Sequence, residues 1–133
     1  MAVVLIVEDE ATLLILAESV LQTAGYETLS ANSLLEVQGI VESDIKFDVM
    51  FTDLTLHDDH DGGVEAAKLV VQKRPTTPVL YTSGRELTDG LKALFVENSD
   101  FVGKPYTDKL LLDALDKLLG RKLTDAPHTR SVR

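Results

Sequence analysis

Three carboxylates, one ammonium and a pair of hydroxyls stand out in this chain because each directly follows an apolar run. Glu8-Asp9 follows Ala2 to Val7, and Asp53 follows Phe47 to Thr52. Thr82-Ser83-Gly84 closes the run from Pro78, and Lys104-Pro105 follows Asp100-Phe101-Val102. Carboxylates gathered in one pocket repel one another unless a cation joins them. Oxygen donors with few protein ligands suit Mg²⁺, which keeps waters and accepts phosphate oxygens. Lys104 adds a mobile positive point charge, and Ser83 can donate a hydrogen bond to a phosphoryl oxygen. The set is suited to holding a doubly charged group at Asp53. A carboxylate can attack phosphorus and become an acyl phosphate. Such a transfer demands positioning and charge neutralisation more than acid–base work, and Mg²⁺ and Lys104 supply the neutralisation. An ionised carboxylate needs no general base.

The elements that must bring these residues together alternate strand and helix five times. Ala2 to Val7 is a continuous apolar run, the mark of a strand buried on both faces. A helix follows from about Glu10 to Ala24, with Leu13, Leu16, Ala17, Val20, Leu21 and Ala24 at helical spacing and Gly25 as its stop. Glu27 to Ser30 is a short strand. Asn32 or Ser33 caps a second helix carrying Leu34, Val37, Ile40 and Val41. Phe47 to Thr52 is the third strand, and a polar loop leads to a third helix that stops before Pro75. Pro78 to Thr82 is the fourth strand. A weaker helix spans roughly Glu86 to Val96 with Gly90 inside it. Asp100-Phe101-Val102 is the fifth strand, and a last helix runs from Thr107 or Asp108 to about Leu119. Five βα units predict the α/β class. The arrangement is a flavodoxin-like (βα)5 doubly wound parallel sheet with strand order 2-1-3-4-5. Sites in such sheets lie beyond the carboxyl ends of the strands, where the charged residues stand.

Length and composition fit this picture. The chain has 133 residues, 44% hydrophobic and 26% charged, with no cysteine. Disulfide and thiolate chemistry are excluded, and a reducing cytoplasm is compatible. The acidic turn at Glu8 makes the first segment a strand rather than a signal peptide, and no apolar stretch reaches membrane-spanning length. A net charge of -9 disfavours a phosphate backbone as partner, so no nucleic acid is expected. Residues 120–133 carry four bases against one acid, a segment charge of +3 that leaves -12 on the rest. The expected organisation is one domain over 1–119 and a flexible basic tail over 120–133.

Four pieces in order, Val7-Glu8-Asp9-Glu10, Thr52-Asp53-Leu54, Thr82-Ser83-Gly84 and Lys104-Pro105-Tyr106, resemble the receiver domains of bacterial two-component response regulators. The resemblance covers residues 2 to about 119 and points to the stand-alone, single-domain type. It implies that Asp53 takes a phosphoryl group from a phosphohistidine on a histidine kinase or histidine phosphotransfer protein. Glu8, Asp9, Asp53 and the Thr55 carbonyl would then serve Mg²⁺, and Ser83 and Lys104 the phosphoryl group. Phe101 would be the switch aromatic, and the Lys104-Pro105 peptide would be cis. The family commonly meets its histidine-bearing partner at helix 1. The helix 4–strand 5–helix 5 face commonly meets an output or a second receiver. Extra apolar residues at Leu14 and Ile15 agree with the first, and a broad leucine set from Leu110 to Leu119 agrees with a homodimer at the second. The downstream protein is not specified.

The chain departs from the family pattern in the loop after Asp53. His57 stands where a proline is usual, and Asp61-Gly62 arrives one residue late. Asn98-Ser99 replaces the usual Gly-Ala turn before strand 5. Other readings of the same residues stand beside the sharp ones. Glu8-Asp9 could cap helix 1, Ser83 could be a turn residue, Lys104 a solvated loop lysine, and Phe101 ordinary core. His57 and His60 could share a transition metal, or the loop from His57 to Asp61 could be a solvated acidic surface. Thr55 and Arg85 flank the expected path of an attacking water and could tune the phosphoryl lifetime. Two other functions compete. One is a Mg²⁺-dependent phosphohydrolase of the haloacid-dehalogenase type, against which Thr55 stands where a second aspartate is needed. The other is a receiver-shaped docking module that takes no phosphate.

Overall fold

The computed structural model describes residues 1–124, with side chains as far as residue 120. Ten elements alternate along the chain. They are β1 (Val3–Val7), α1 (Ala11–Thr23), β2 (Glu27–Ala31), α2 (Leu34–Val41), β3 (Val49–Asp53), α3 (Gly62–Lys73), β4 (Val79–Ser83), α4 (Asp89–Lys92), β5 (Ser99–Gly103) and α5 (Asp108–Thr124). The strands form one parallel sheet in the order β2-β1-β3-β4-β5, as the alternation predicts. Successive side chains point to opposite faces of a strand, and the sheet is covered on both. Leu5, Val7, Met50, Val79 and Tyr81 pack with Val37, Val41, Ala67 and Val70. Val4, Ile6, Val49, Phe51 and Leu80 pack with Ala17, Leu21, Leu111, Leu115 and Leu118. Burial on two faces is why these strands read as unbroken apolar runs.

Local chemistry sets the element ends. Gly25 follows α1 at φ +100°, a backbone conformation that favours glycine. Ser33 caps α2 by accepting from the Glu36 N–H at 3.2 Å, and Glu36 returns a bond to the Asn32 N–H at 2.7 Å. At the far end of α3, Arg74 reaches back under the α2–β3 connection. Its Nη1 donates to the Ile45 carbonyl at 2.7 Å, and Nη2 lies 3.1 Å from the carbonyls of Ile40, Val41 and Ser43. The guanidinium also sits 4.8 Å from the Phe47 ring centroid. Hydrogen bonds from a charged donor and a cation–π contact together predict that Arg74→Ala costs about 2–3 kcal/mol in urea unfolding. Lysine at this position recovers little, because it lacks the planar fork. An unchanged unfolding midpoint in Arg74→Ala would show that the staple carries no stability.

Three details differ from the sequence reading. The fourth helix shrinks from the predicted 86–96 to a single turn, Asp89–Lys92. Thr88 caps it from inside the predicted span, Gly90 lies within it, and the next residues tighten into i→i+3 bonds, Leu94 to Leu91 and Phe95 to Lys92. The last helix continues to Thr124 rather than ending near Leu119; the rest of the expected tail lies outside the described residues. On the first helix, Leu16, placed on the buried stripe by spacing, is 57% exposed, while Leu14, placed outside it, packs against the core beside the buried Ala17 and Leu21. Among the described residues no helix is long and apolar enough to cross a membrane.

Candidate functional site

The parallel sheet brings the ends of β1, β3 and β4 and the loop after β5 to one rim. Register explains the alignment: Val7 pairs with Thr52, Asp53 with Thr82, and Ser83 with Gly103. Glu8 and Asp9 therefore leave β1 beside Asp53 at the tip of β3, and Lys104 leaves β5 on the other side. Lys104 Nζ donates to Asp53 Oδ2 at 2.8 Å and lies 3.8 Å from Glu8 Oε1. The Lys104-Pro105 peptide is cis, as the resemblance implied. The Lys104 N–H donates to the Ser83 carbonyl at 2.9 Å, which ties the lysine loop to the end of β4.

The electrostatics mark the pocket as short of positive charge. Burial, followed by the nearby Asp53 charge, pushes Glu8 from 4.5 to about 7, against the lowering effects of the Glu10 N–H and Lys104. Burial alone would lower the Lys104 pKa. The hydrogen bond to Asp53 and the charges of Asp53 and Glu8 outweigh burial and hold Lys104 above its ordinary value. One lysine thus serves two carboxylates, and the second is left without a full partner. Oxygen donors with this deficit fit a hard divalent cation such as Mg²⁺. Among the described residues no three His, Cys, Asp or Glu side chains are already drawn around one point. A cation here would rely on few protein ligands and complete its shell with water and main-chain oxygen, as Mg²⁺ does.

Each further residue singled out by sequence has a defined place. Asp9 accepts the His57 N–H on Oδ2 at 2.6 Å. The Thr55 N–H lies 3.3 Å from Asp53 Oδ1, so Thr55 borders the Asp53 carboxylate. Ser83 is buried, and its Oγ accepts the Arg85 N–H at 2.9 Å. Thr82, its neighbour, points to the other face of β4; its Oγ1 is buried without a hydrogen-bond partner. Phe101 is half-buried at the end of a stack of three rings. Its centroid lies 6.2 Å from Phe95, which stacks on Tyr81 at 4.0 Å. His57 and His60 do not meet in a metal site, because the His57 ring turns instead to the Asn32 carbonyl, 3.0 Å from Nε2.

Three features of the rim were not read from the sequence. The extra residue of the β3–α3 loop is taken up in a tight turn. Leu56 and Asp59 exchange two main-chain hydrogen bonds of 3.0 Å, and His57 lies inside the turn at φ +56°. Arg85 spans to this loop, with Nη2 donating to the His60 carbonyl at 2.7 Å and to Asp61 Oδ1 at 3.2 Å. Gly63 rests against the main chain of Asp53 itself, and its N–H donates to the Leu54 carbonyl at 2.8 Å. Each has a partial sequence signal: the late Asp61-Gly62 for the turn, Arg85 beside the strand end for the bridge, and the Gly62-Gly63 pair for the close approach of α3.

A (βα)5 sheet with an aspartate, an acidic pair and a lysine at one rim defines a class of small phosphoacceptor folds. The sequence matches the family model of the response regulator receiver domain over residues 4–116, and the chain belongs to that family. Solved structures agree. A response regulator receiver protein from Sinorhizobium medicae is 27% identical, with a TM-score of 0.81 over 91% of this chain and 96% of its own. A receiver domain protein from Clostridium thermocellum is 25% identical, with a TM-score of 0.80 over 92% and 97%. The chemotaxis protein CheY4 of Vibrio cholerae is 26% identical, with a TM-score of 0.77 over 89% and 98%. The role of the chain is that of its family, phosphorelay signal transduction.

Proposed function

We propose that Asp53 is the phosphoacceptor of this receiver and that Glu8, Asp9, Asp53 and the Thr55 carbonyl serve a Mg²⁺ ion during the transfer. The observation that carries this reading is the 2.8 Å contact of Lys104 Nζ with Asp53 Oδ2, made beside a Glu8 that lacks a full counter-charge. A bound Mg²⁺ supplies neutralisation of phosphoryl oxygens. The protein's own groups do the rest. Asp53 Oδ attacks phosphorus while Lys104 and the Ser83 hydroxyl hold the transferred oxygens, and the bond to the donor nitrogen breaks as the new P–O bond forms. The reaction is one of signalling, not of substrate turnover.

The donor is a histidine kinase or a histidine phosphotransfer protein of the cytoplasm, and α1 supports its docking. Ile15 and Leu16 are 62% and 57% exposed. Beside them runs a groove of about 520 Å³ lined by Leu13, Val20, Pro105 and Tyr106, with Glu8 and Lys104 also on its wall. An apolar partner helix laid there would reach the rim that holds Asp53. Leu110, 53% exposed on α5, supports a second contact face for a downstream protein or another copy of the chain.

Incubation with Mg²⁺ and a small acyl phosphate, followed by intact mass measurement, tests the reading. Wild type gains one phosphoryl group and Asp53→Asn gains none. A wild-type protein that stays unmodified under conditions where it remains folded would remove Asp53 from the role.

A further inference from the structure

The loop after Asp53 is one place where this chain departs from the family pattern, and the departure lands on Asp9. His57 occupies the position usually held by proline. Its backbone is left-handed, at φ +56°, which a proline ring cannot adopt. The turn around it is closed by the paired Leu56 and Asp59 bonds, so the conformation is held from both sides. In this conformation the main-chain N–H of His57 points at Asp9 Oδ2, 2.6 Å away. The ring extends past the same carboxylate, with Nδ1 3.7 Å from Asp9 Oδ2 and Nε2 3.0 Å from the Asn32 carbonyl. A carbonyl can only accept, so Nε2 carries a proton and donates. The ring thereby braces the loop against the β2–α2 connection. The β3–α3 loop thus holds one oxygen of Asp9 and is itself tied through the His57 ring to the residue after β2.

We infer that His57 is a positioning residue for the metal pocket. Its main-chain N–H fixes one oxygen of Asp9, so that the other is oriented for the cation, and the paired Leu56–Asp59 bonds hold the turn in the conformation that aims that N–H. The inference rests on the reading of Asp9 as a metal ligand. A hydrogen bond to a ligating carboxylate sets its orientation and tunes affinity. The main-chain N–H is the operative group, and this gives an unusual order of variants. Glycine keeps the N–H and adopts positive φ freely. Proline, the residue more common in the family, has no N–H and is confined to φ near −65°.

Mg²⁺ dissociation constants for wild type, His57→Gly, His57→Ala and His57→Pro, measured by calorimetric titration, test the order. His57→Gly stays within about threefold of wild type, and His57→Pro loses about tenfold or more, as removal of an outer partner of a metal ligand does. His57→Ala keeps the N–H under backbone strain and falls between them. Urea unfolding without metal is run on each variant, so that lost affinity is separated from lost fold. A purely structural role would make affinity follow stability. Equal Mg²⁺ affinities for the glycine and proline variants would overturn the inference while leaving the phosphoacceptor reading intact. A wild-type protein that binds no Mg²⁺ would overturn the inference, and absence of the Asp53 mass adduct in the same preparation would separately remove the phosphoacceptor reading.

Discussion

Gly63→Ala is expected to lower the stability of the domain by about 3 kcal/mol or more, the upper range for overpacking a close backbone contact. A methyl group at Gly63 would lie 2.0 Å from the Asp53 carbonyl oxygen and 2.8 Å from both the Asp53 carbonyl carbon and Leu54 Cα. These are main-chain atoms of β3 and its exit, so no rotamer change relieves the clash. Either α3 lifts off the sheet, breaking the 2.8 Å bond from the Gly63 N–H to the Leu54 carbonyl, or the end of β3 moves and takes Asp53 with it. Both routes also affect the site. Urea unfolding gives the first readout, and the yield of the aspartyl-phosphate mass adduct at a temperature where the variant is folded gives the second. Gly39→Ala is the control, since that glycine has no atom within 4 Å of the added carbon. If Gly63→Ala unfolds at the same midpoint as wild type, the close approach of α3 to Asp53 is not a constraint on the fold.

The topology was legible because it rests on features that repeat. Three apolar runs and two shorter, more polar strands, each followed by a helical spacing, leave a doubly wound parallel sheet as the simplest way to cover both faces. The strand boundaries moved by one or two residues, as edges do. The extent of single elements is harder to read than their order. The sequence predicts a fourth helix from about Glu86 to Val96, but local capping by Thr88 and the i→i+3 bonds at Leu94 and Phe95 leave it one turn long. Leu16 lies at a spacing that suits the buried stripe, yet Ala17 takes the sheet-facing position and Leu16 faces outward. Periodicity defines an apolar arc; it does not say where along the arc the neighbouring elements end.

The site divides in the same way. Glu8, Asp9, Asp53, Ser83 and Lys104 were visible because the chain places them at strand ends, and the sheet carries strand ends to one rim. Register then brings Asp53 level with Thr82 and Ser83 with Gly103. The contacts that come from loops were not visible. Neither the His57 N–H bond to Asp9 nor the Arg85 bridge to His60 and Asp61 follows from residue type, because each depends on a turn conformation set by tertiary closure. The departure at His57 was apparent as an absence of proline. Its consequence required the left-handed φ.

The second large effect is expected from Glu8 and pH. In the folded, metal-free protein, burial and then the Asp53 charge lift Glu8 from 4.5 to about 7. The native state therefore binds an extra proton across that window. Because the folded value is the higher one, the stability linked to this proton is fully present below about 4.5 and is lost as pH rises through about 7. The full effect is on the order of 3 kcal/mol at 1.36 kcal/mol per unit. Glu8→Gln keeps the shape and removes the titration. The stability difference between Glu8→Gln and wild type, both without metal, should grow in favour of the variant by about 2–3 kcal/mol from pH 5 to pH 8. Saturating Mg²⁺ should erase most of that difference, because a cation binds the ionised form and repays its burial. For the same reason the wild-type Mg²⁺ affinity should fall toward tenfold per unit as pH drops below about 7. Parallel pH–stability curves for the two metal-free proteins would show that Glu8 is not the strained carboxylate of the pocket. A pH-dependent difference that Mg²⁺ leaves untouched would place the strain at Glu8 but the cation elsewhere. With both results as expected, the pocket acts before any phosphoryl group arrives: its acidic residues destabilise the metal-free domain, and a bound cation relieves them.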